Sequence, residues 1–305
     1  MVLPTQLSFF QKLEAEATEL EKNEVLHRAN LGTFQDSLRA PVHLWFTYPA
    51  GFSYKAVEEA FRLYHIKPGM TVYDPFAGTA TTNVVATQQG VHSFGVEAHP
   101  FVHFVGQTKL CWNFSLSNLL HQIDALIEHI RQEIRTQNLA TISVKGIFPE
   151  LVCKCYSDEK LACLYLCREV INRLEMPFRD FAKLGLTHIL RSVADVATGW
   201  PYIAPQKAKR NNDVNVIEKL QEQLYLMYSD VQEVRRAQYP FGKATLIWGD
   251  SRQQQDAIES QSIDLAFTSP PYLNNYDYSD RTRLEMYFWG EAANWGDINR
   301  RFVHV

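Results

Sequence analysis

The chain has 305 residues, of which 46% are hydrophobic and 21% are charged, a balance that excludes a disordered protein and is ordinary for a globular one. A net charge of −4 argues against a general nucleic-acid coat protein, but it permits a DNA enzyme whose basic residues share one face. No apolar run approaches the roughly 20 residues of a membrane span, and no signal peptide is evident. We therefore expect a cytoplasmic protein without a membrane contact.

Five cysteines occur in the chain, and four of them follow the spacing C-x-C-x7-C-x3-C between residues 153 and 167. This spacing matches none of the common zinc-binding patterns, although the last two cysteines are one helical turn apart. Packed or partly exposed thiols are the favoured interpretation, and a zinc site is the alternative. We expect no metal at the functional site and no disulfide framework.

The first part of the chain alternates between helical and strand-like patterns. Residues 7–29 have the period of an amphipathic helix, and a second helix is predicted over residues 54–65, before a Lys-Pro-Gly turn. A buried strand over 71–73 leads into a glycine-bearing turn and a helix, and another strand is predicted over 92–96. This order predicts the start of a parallel α/β sheet.

Residues 115–235 break the alternation and are mostly helical in pattern. A loop with clustered basic and aromatic side chains, residues 199–210, interrupts them. The α/β pattern then resumes with two strands, 244–248 and 263–267, and a helix through Arg283 and Tyr287. The helices predicted inside this insertion cover 119–134, 161–174, 178–196 and 216–234.

Acidic residues stand at the ends of three of the predicted strands. Glu97 is placed to accept the two hydroxyls of a ribose, and Asp250 could accept a hydrogen bond from an adenine amine. Asp74, with Phe76 beside it, suits a cationic and partly apolar ligand better than a polyphosphate, since neither a dinucleotide fingerprint nor a P-loop is present. Taken singly, each acid is more often a helix cap or a solvated strand end. Three acids facing one sheet edge favour a ligand site.

The apolar strand over 263–267 runs into Thr268-Ser269-Pro270-Pro271-Tyr272. Because proline has no N–H and a fixed φ, the chain must leave the sheet at its carboxyl edge. The segment then offers a hydroxyl, free carbonyls and an aromatic face, which together suit a flat heterocycle with an exocyclic amine. A strand followed by an ordinary proline turn is the alternative.

With both motifs in place, the sequence resembles the DNA amino-methyltransferases, the S-adenosylmethionine enzymes that modify exocyclic amines of cytosine or adenine. Residues 74–82 (DPFAGTATT) look like the cofactor motif D-P-F-x-G-x-G-T-T, with Ala80 in place of the second glycine. The Ser-Pro-Pro form of the second motif is typical of cytosine-N4 enzymes. Residues 43–52 (HLWFTYPAGF) are similar to the segment that precedes the cofactor motif in many members.

The resemblance implies an α/β fold with a Rossmann-like methyltransferase sheet and a helical insertion, and it implies S-adenosyl-L-methionine as the cofactor. The residues that match the catalytic motif are Ser269, Pro270, Pro271 and Tyr272. Those that match the cofactor positions are Tyr48, Pro49, Ala50, Phe52, Asp74, Phe76, Gly78, Thr79, Ala80, Thr81, Glu97 and Asp250.

The implied chemistry agrees with these residue types. An exocyclic base amine is a poor nucleophile because its lone pair is delocalised into the ring. Ser269 and the Pro270 carbonyl would accept its hydrogens, and the methyl group would pass in line from the sulfonium without a covalent enzyme intermediate. Since the base cannot be reached inside a duplex, it must be flipped out, with Tyr272 stacking on it.

The helical insertion is the candidate target-recognition region for double-stranded DNA. Its loop supplies the expected DNA-facing set, by phosphate contact or stacking, and a solvated basic loop is the alternative. We expect three parts: a cofactor-binding half over 1–110, the insertion over 111–240 and a catalytic half over 241–305. The expected DNA-facing residues are Trp200, Tyr202, Lys207, Lys209 and Arg210.

Only 33 residues follow Tyr272, which is too few for the strands that the family places after the catalytic one. We therefore expect the carboxyl-terminal strands to be missing, either from a truncated frame or from a split enzyme completed by a second polypeptide. The expected function is DNA methylation in a restriction-modification system, at cytosine N4 rather than adenine N6. A fragment that only binds cofactor or DNA and an RNA methyltransferase stay open as alternatives.

Overall fold

The computed structural model describes residues 36–48, 51–198, 203–209, 214–236, 240–271 and 280–301. The amphipathic helix expected over residues 7–29 lies outside these ranges. Short 3-10 turns at Asp36–Leu38 and His43–Trp45 open the described part. The first α/β segment then consists of α1 (Tyr54–Leu63), β1 (Thr71–Asp74), α2 (Thr81–Gln88), β2 (His92–Glu97) and α3 (Pro100–Lys109).

Helix α3 was not expected from the sequence, although its start carries clear signals. The side chain of His99 caps the helix by accepting a hydrogen bond from the backbone N–H of Phe101, and Pro100 occupies the first helical position. Buried residues on one face, including Val102 and Val105, hold the helix against the rest of the core. The helix therefore follows directly from the strand end that carries Glu97.

The insertion is helical, as predicted, and it includes a short hairpin. The helix predicted over 178–196 ends at Val193, because Ala194 is already extended. The prediction of a loop over 199–210 is partly wrong, because residues 204–208 form a strand antiparallel to residues 196–197. The elements are α4 (Leu116–Thr136), α5 (Glu150–Cys153), α6 (Asp158–Asn172), α7 (Phe178–Val193), β3 (Val196–Ala197), β4 (Ala204–Ala208) and α8 (Val216–Val234).

The remaining described elements return to the sheet and then leave it. They are β5 (Ala244–Trp248), β6 (Leu265–Ala266), α9 (Arg283–Phe288) and α10 (Trp295–Arg301). Strand β6 is shorter than the predicted 263–267, but the backbone N–H groups of Asp264 and Phe267 still donate to carbonyls of β1. Pairing with β1 therefore extends one residue beyond each end of the strand.

The sheet has the winding of a Rossmann-like fold. Within the described residues, β5, β2, β1 and β6 lie side by side in that order, and each neighbouring pair is parallel. The chain winds from β1 through β2 to β5 and then crosses back to the other side of β1. The winding therefore reverses between β1 and β6, and open α/β sheets bind their ligands outside the strand ends at such a reversal.

Two glycines allow the turn after β1 to sit close to the sheet. A Cβ on Gly95 of β2 would lie 2.8 Å from the side-chain oxygen of Asn83 and 2.9 Å from the Cβ of Ala77. A Cβ on Gly106 of α3 would lie 2.6 Å from Leu246 and 3.1 Å from the Cβ of Ala80. The turn and helix α2 thus pack directly on β2 and α3.

One buried cluster joins the parts that the sequence divides at residues 110 and 240. It contains Trp45, Phe101 of α3, Leu164 and Leu224 of the insertion, and Phe288 of α9. The three-part division and the missing carboxyl-terminal strands stay predictions.

Cys155, Cys163 and Cys167 are buried, which fits the packed-thiol interpretation, while Cys153 is exposed. In the described ranges, no group of three or more His, Cys, Asp or Glu side chains could hold a metal ion. Among the helices described, none combines the length and the apolar character that a membrane crossing requires.

Candidate active site

The ends of β1 and β6 are joined by a buried carboxylate. Asp74, the last residue of β1, is fully buried and accepts a hydrogen bond of 2.7 Å from the hydroxyl of Thr268, which follows β6. The same carboxylate accepts the hydroxyl of Thr82 at 2.7 Å and the backbone N–H of Phe76 at 3.1 Å. Burial raises the pKa of Asp74, and these three hydrogen bonds act to lower it. The residues expected to form the cofactor motif and those expected to form the catalytic motif therefore meet across the reversal point.

The glycine turn presents an open backbone surface beside this junction. Gly78 has φ +54°, and among the described residues no heavy atom beyond its chain neighbours lies within 4 Å of the position that its Cβ would take. Such an open, Cβ-free turn lets a ligand approach the backbone closely. The site residues Thr79 and Thr81 are buried, and the ring of Phe76 is half-buried.

Ala80 adopts the left-handed conformation, with φ +64°. The family motif has a glycine at this position. An L-residue there costs on the order of 1–2 kcal/mol. Its methyl group is fully buried in a small cluster with Ala77 and Leu246, and it lies over Gly106. The extra methyl group is therefore packed in the core and not in the open space above the turn.

Glu97 is fixed beside the glycine turn by two backbone donors. Its carboxylate accepts the N–H of Gly78 at 2.9 Å and the N–H of His99 at 2.8 Å. Burial raises the pKa of Glu97 to about 7, although both hydrogen bonds lower it. The group can therefore change charge near neutral pH, and it lies against the turn. Its role as a ribose acceptor stays a prediction.

Asp250 lies beyond the end of β5 and is held by its own turn. Arg252 donates to both carboxylate oxygens, with a shortest distance of 2.6 Å, and its backbone N–H donates at 2.9 Å. These bonds from Arg252 lower the pKa of Asp250. Next to it, the indole of Trp248 is 54% exposed, and its N–H donates to the carbonyl of Ala98 at 3.1 Å. Neither Arg252 nor Trp248 was singled out from the sequence.

The catalytic motif leaves the sheet as predicted. Ser269 and Pro270 are half-buried and Pro271 is exposed, while Tyr272 lies outside the described residues. The ring of Phe267 packs edge-on against Phe52, with centroids 5.4 Å apart. The segment before the cofactor motif therefore contacts the end of the catalytic strand.

That preceding segment is clamped to two other parts of the fold. The ammonium of Lys109 in α3 donates to the carbonyls of His43 and Phe46, at 2.9 and 3.3 Å. Burial lowers the pKa of Lys109 to about 7. Asp230 of α8 accepts the indole N–H of Trp45 at 2.8 Å. Of the expected cofactor residues here, Tyr48 is buried and Phe52 is half-buried, and Pro49 and Ala50 lie outside the described residues.

The structure describes two of the five expected DNA-facing residues. Lys207, on β4, is exposed. The ammonium of Lys209 donates to the backbone carbonyl of Arg191 at 2.7 Å, so this lysine holds the hairpin to α7. The remaining three, Trp200, Tyr202 and Arg210, lie outside the described residues.

A parallel sheet with this winding, acids at three strand ends and an open glycine turn at the reversal define a Rossmann-like methyltransferase fold. Comparison with known proteins confirms the resemblance that the two motifs indicated. The chain is 23% identical over 299 residues to the Type II methyltransferase M.BsoBI of Geobacillus stearothermophilus, covering 89% of this chain and 57% of that protein.

The Type II methyltransferases M.AvaI of Nostoc sp. (strain PCC 7120 / SAG 25.82 / UTEX 2576) and of Anabaena variabilis are each 22% identical over 275 residues. These alignments cover 85% of this chain and 56% of the relatives. The chain thus spans little more than half the length of the curated relatives it matches. No protein-family model and no solved structure matches the chain.

Replacing Thr268 with valine tests the junction at Asp74. Valine keeps the shape but removes the donor to a buried carboxylate, and we expect the free energy of unfolding at pH 7 to fall by about 1–3 kcal/mol. Thr268→Ser keeps the hydroxyl and serves as the control, with a much smaller loss. Urea unfolding at constant m-value measures both. Equal stability of the valine and serine variants would show that the hydrogen bond does not hold the two motifs together.

Proposed function

We propose that the chain is an S-adenosylmethionine-dependent DNA methyltransferase that modifies an exocyclic base amine. The observation that carries the proposal is the Thr268–Asp74 hydrogen bond, which joins the glycine turn and the Ser-Pro-Pro motif at the reversal point of the sheet. Two independent motifs that meet at the edge where such sheets bind ligands are difficult to explain as a proline turn and a helix cap.

The residues around the turn fit the cofactor. The open backbone at Gly78 allows a close approach, and the oriented carboxylate of Glu97 supplies acceptors for the ribose hydroxyls. Asp250, fixed by Arg252, would accept the adenine amine from the neighbouring strand end. Asp74 acts through its hydrogen bonds, because its buried carboxylate already serves three donors of the protein. When bound, S-adenosylmethionine supplies an electrophilic methyl group on a sulfonium.

The protein activates the amine by accepting its hydrogens. The hydroxyl of Ser269 and the carbonyl of Pro270 lie directly after the anchored Thr268, so their position is set by the same hydrogen bond that fixes the turn. Accepting both hydrogens shifts the amine lone pair out of the ring and toward the donor. The remaining catalysis is positioning, which in well-oriented reactions supplies on the order of 7–11 kcal/mol.

Cytosine N4 is the proposed target because the motif has serine before Pro-Pro, the form typical of cytosine-N4 enzymes. A role as the modification arm of a restriction-modification system rests on the names of the relatives, which are Type II methyltransferases. The exposed Lys207 on the hairpin would contact the DNA backbone, with Trp200, Tyr202 and Arg210 beside it in sequence. The comparisons give no support to a second polypeptide.

Replacing Ser269 with alanine tests the catalytic assignment. We expect transfer of a tritiated methyl group from S-adenosylmethionine to duplex DNA to fall at least about 100-fold, since one acceptor for the amine is lost. Affinity for S-adenosylhomocysteine should change by less than about threefold. Ser262→Ala makes the same chemical change on the loop before β6, where the hydroxyl donates to the Glu259 carbonyl at 2.7 Å, and it should keep full activity.

The modified nucleoside separates the alternatives in the same assay. N4-methylcytosine in the digested product supports the proposal, and N6-methyladenine would transfer it to the other base. Cofactor binding by the unaltered protein without any methyl incorporation would identify a binding fragment, and preferential labelling of RNA would identify an RNA enzyme. Full activity of Ser269→Ala would remove Ser269 from the mechanism.

The raised pKa of Glu97 predicts a pH dependence of cofactor binding. An ionised carboxylate accepts ribose hydroxyls better than a protonated one, and the pKa of about 7 leaves Glu97 mostly protonated at pH 6 and mostly ionised at pH 8. Affinity for S-adenosylhomocysteine should therefore rise about tenfold from pH 6 to pH 8. Calorimetric titration of the unaltered protein and of Glu97→Gln measures it.

The glutamine variant should bind weakly and show no rise over this range. Asp250→Asn is the matched control, because the pKa of Asp250 is lowered and its charge does not change between pH 6 and pH 8. It should weaken binding but keep the same relative rise. A flat profile in the unaltered protein would contradict the role of Glu97.

A further inference from the structure

Arg191, in the last turn of α7, is bonded to two separate segments of the chain. Its Nε and one terminal nitrogen donate to the two carboxylate oxygens of Glu285 in α9, at 2.6 and 3.0 Å. The same terminal nitrogen donates to the carbonyl of Arg281 at 2.8 Å, and the other donates to the carbonyl of Thr198 at 3.0 Å. One guanidinium therefore makes four hydrogen bonds. Three of them reach residues that are 90 or 94 positions away in sequence.

The hairpin side of this contact is held by the main chain of Arg191 as well. The Arg191 carbonyl accepts the hydroxyl of Thr198 at 2.9 Å and the ammonium of Lys209 at 2.7 Å. Thr198 follows β3 and Lys209 follows β4, so the residues that follow both strands of the hairpin are bonded to Arg191. This hairpin carries the exposed Lys207.

The α9 side of the contact lies where the chain that carries the catalytic motif rejoins the core. We call this place, residues 281–285, the return. Arg281 and Glu285 are close in sequence to Ser269, and Glu285 is only 1% exposed. A second bond fixes the same return. His99 accepts the Phe101 N–H at Nδ1, so Nε2 bears the hydrogen and donates to the buried Thr282 hydroxyl at 2.7 Å.

The segment that begins at Thr268 is therefore anchored at both ends. Asp74 holds it where it leaves the sheet, and Arg191 and His99 hold it where it returns. His99 belongs to the cofactor side, because its own N–H donates to Glu97. Arg191 belongs to the insertion, and it bonds to both the hairpin and the return.

We propose that Arg191 is a positioning residue that couples the DNA-facing hairpin to the segment carrying the catalytic motif. The inference rests on the proposed function, because it gives that hairpin and that motif their roles. The planar fork of Arg191 reaches a carboxylate and two carbonyls together, which a lysine ammonium does not reproduce. Losing the fork releases the return of the catalytic segment from the hairpin while leaving the Asp74 junction and the glycine turn intact.

A second ion pair between the same parts of the fold supplies a matched control. Lys183, also in α7, contacts Glu291, which follows α9, at 2.7 Å. Their side chains are 20% and 23% exposed, and neither touches the hairpin or the residues from 280 to 282 in the bonds described. Removing this pair loosens the packing of α9 on α7 without releasing the return.

The experiment compares Arg191→Lys and Glu285→Gln with Lys183→Met in the full chain, by methyl transfer to duplex DNA and by thermal unfolding. For the first two we expect kcat to fall about 10- to 100-fold, as for an ångström-scale misplacement of reacting groups. KM for S-adenosylmethionine should stay within about threefold. Lys183→Met should keep kcat within about twofold even at an equal loss of melting temperature.

Two results would overturn the inference. One is unchanged kcat in both Arg191→Lys and Glu285→Gln, and the other is an equal fall of kcat in Lys183→Met at matched stability. If Arg191→Lys does not fold, Glu285→Gln decides, because it replaces the carboxylate that accepts two of the four guanidinium hydrogen bonds. An unaltered protein that transfers no methyl group to DNA would refute the proposed function, whereas active but insensitive variants refute the coupling alone.

Discussion

The carboxylate of Asp74 is the interaction on which the rest of the site depends. It ends β1, it is fully buried, and its three hydrogen bonds reach the start of the glycine turn, the first turn of α2 and the residue before Ser269. A buried carboxylate without these donors would be strongly disfavoured. The same bonds that satisfy it therefore fix the distance between the two motifs.

The remaining contacts extend this junction outward in two directions. Glu97 and His99 connect the glycine turn to α3 and to the Thr282 hydroxyl before α9. Arg191 connects α9 to the hairpin of the insertion. Because Asp74, Glu97 and His99 are bonded to backbone groups or to threonine hydroxyls, the proposed cofactor side is pre-organised by the fold. The arrangement suits a reaction in which positioning is the main source of rate.

Periodicity and strand-end chemistry predicted much of this from the sequence. The strands that end at Asp74, Glu97 and the turn before Asp250 were identified from their apolar patterns. Their acids were grouped into one site because a parallel sheet brings the carboxyl ends of its strands to one edge. Partners far apart in sequence could not be identified in this way. Thr268 and Asp74 are 194 residues apart, and Arg191 and Glu285 are 94 apart, so no local spacing signals either bond. The hairpin was missed because β3 has only two residues, and because β4 (APQKA) is mostly exposed and has no apolar strand pattern.

The measurement that tests the account most directly is a crystal structure of this chain with S-adenosylhomocysteine. The account predicts the ligand at the carboxyl ends of β1 and β2, with its ribose hydroxyls on Glu97 and its sulfur between Gly78 and Ser269. A ligand bound elsewhere, or packed side chains filling the space above Gly78 in the presence of saturating ligand, would contradict it.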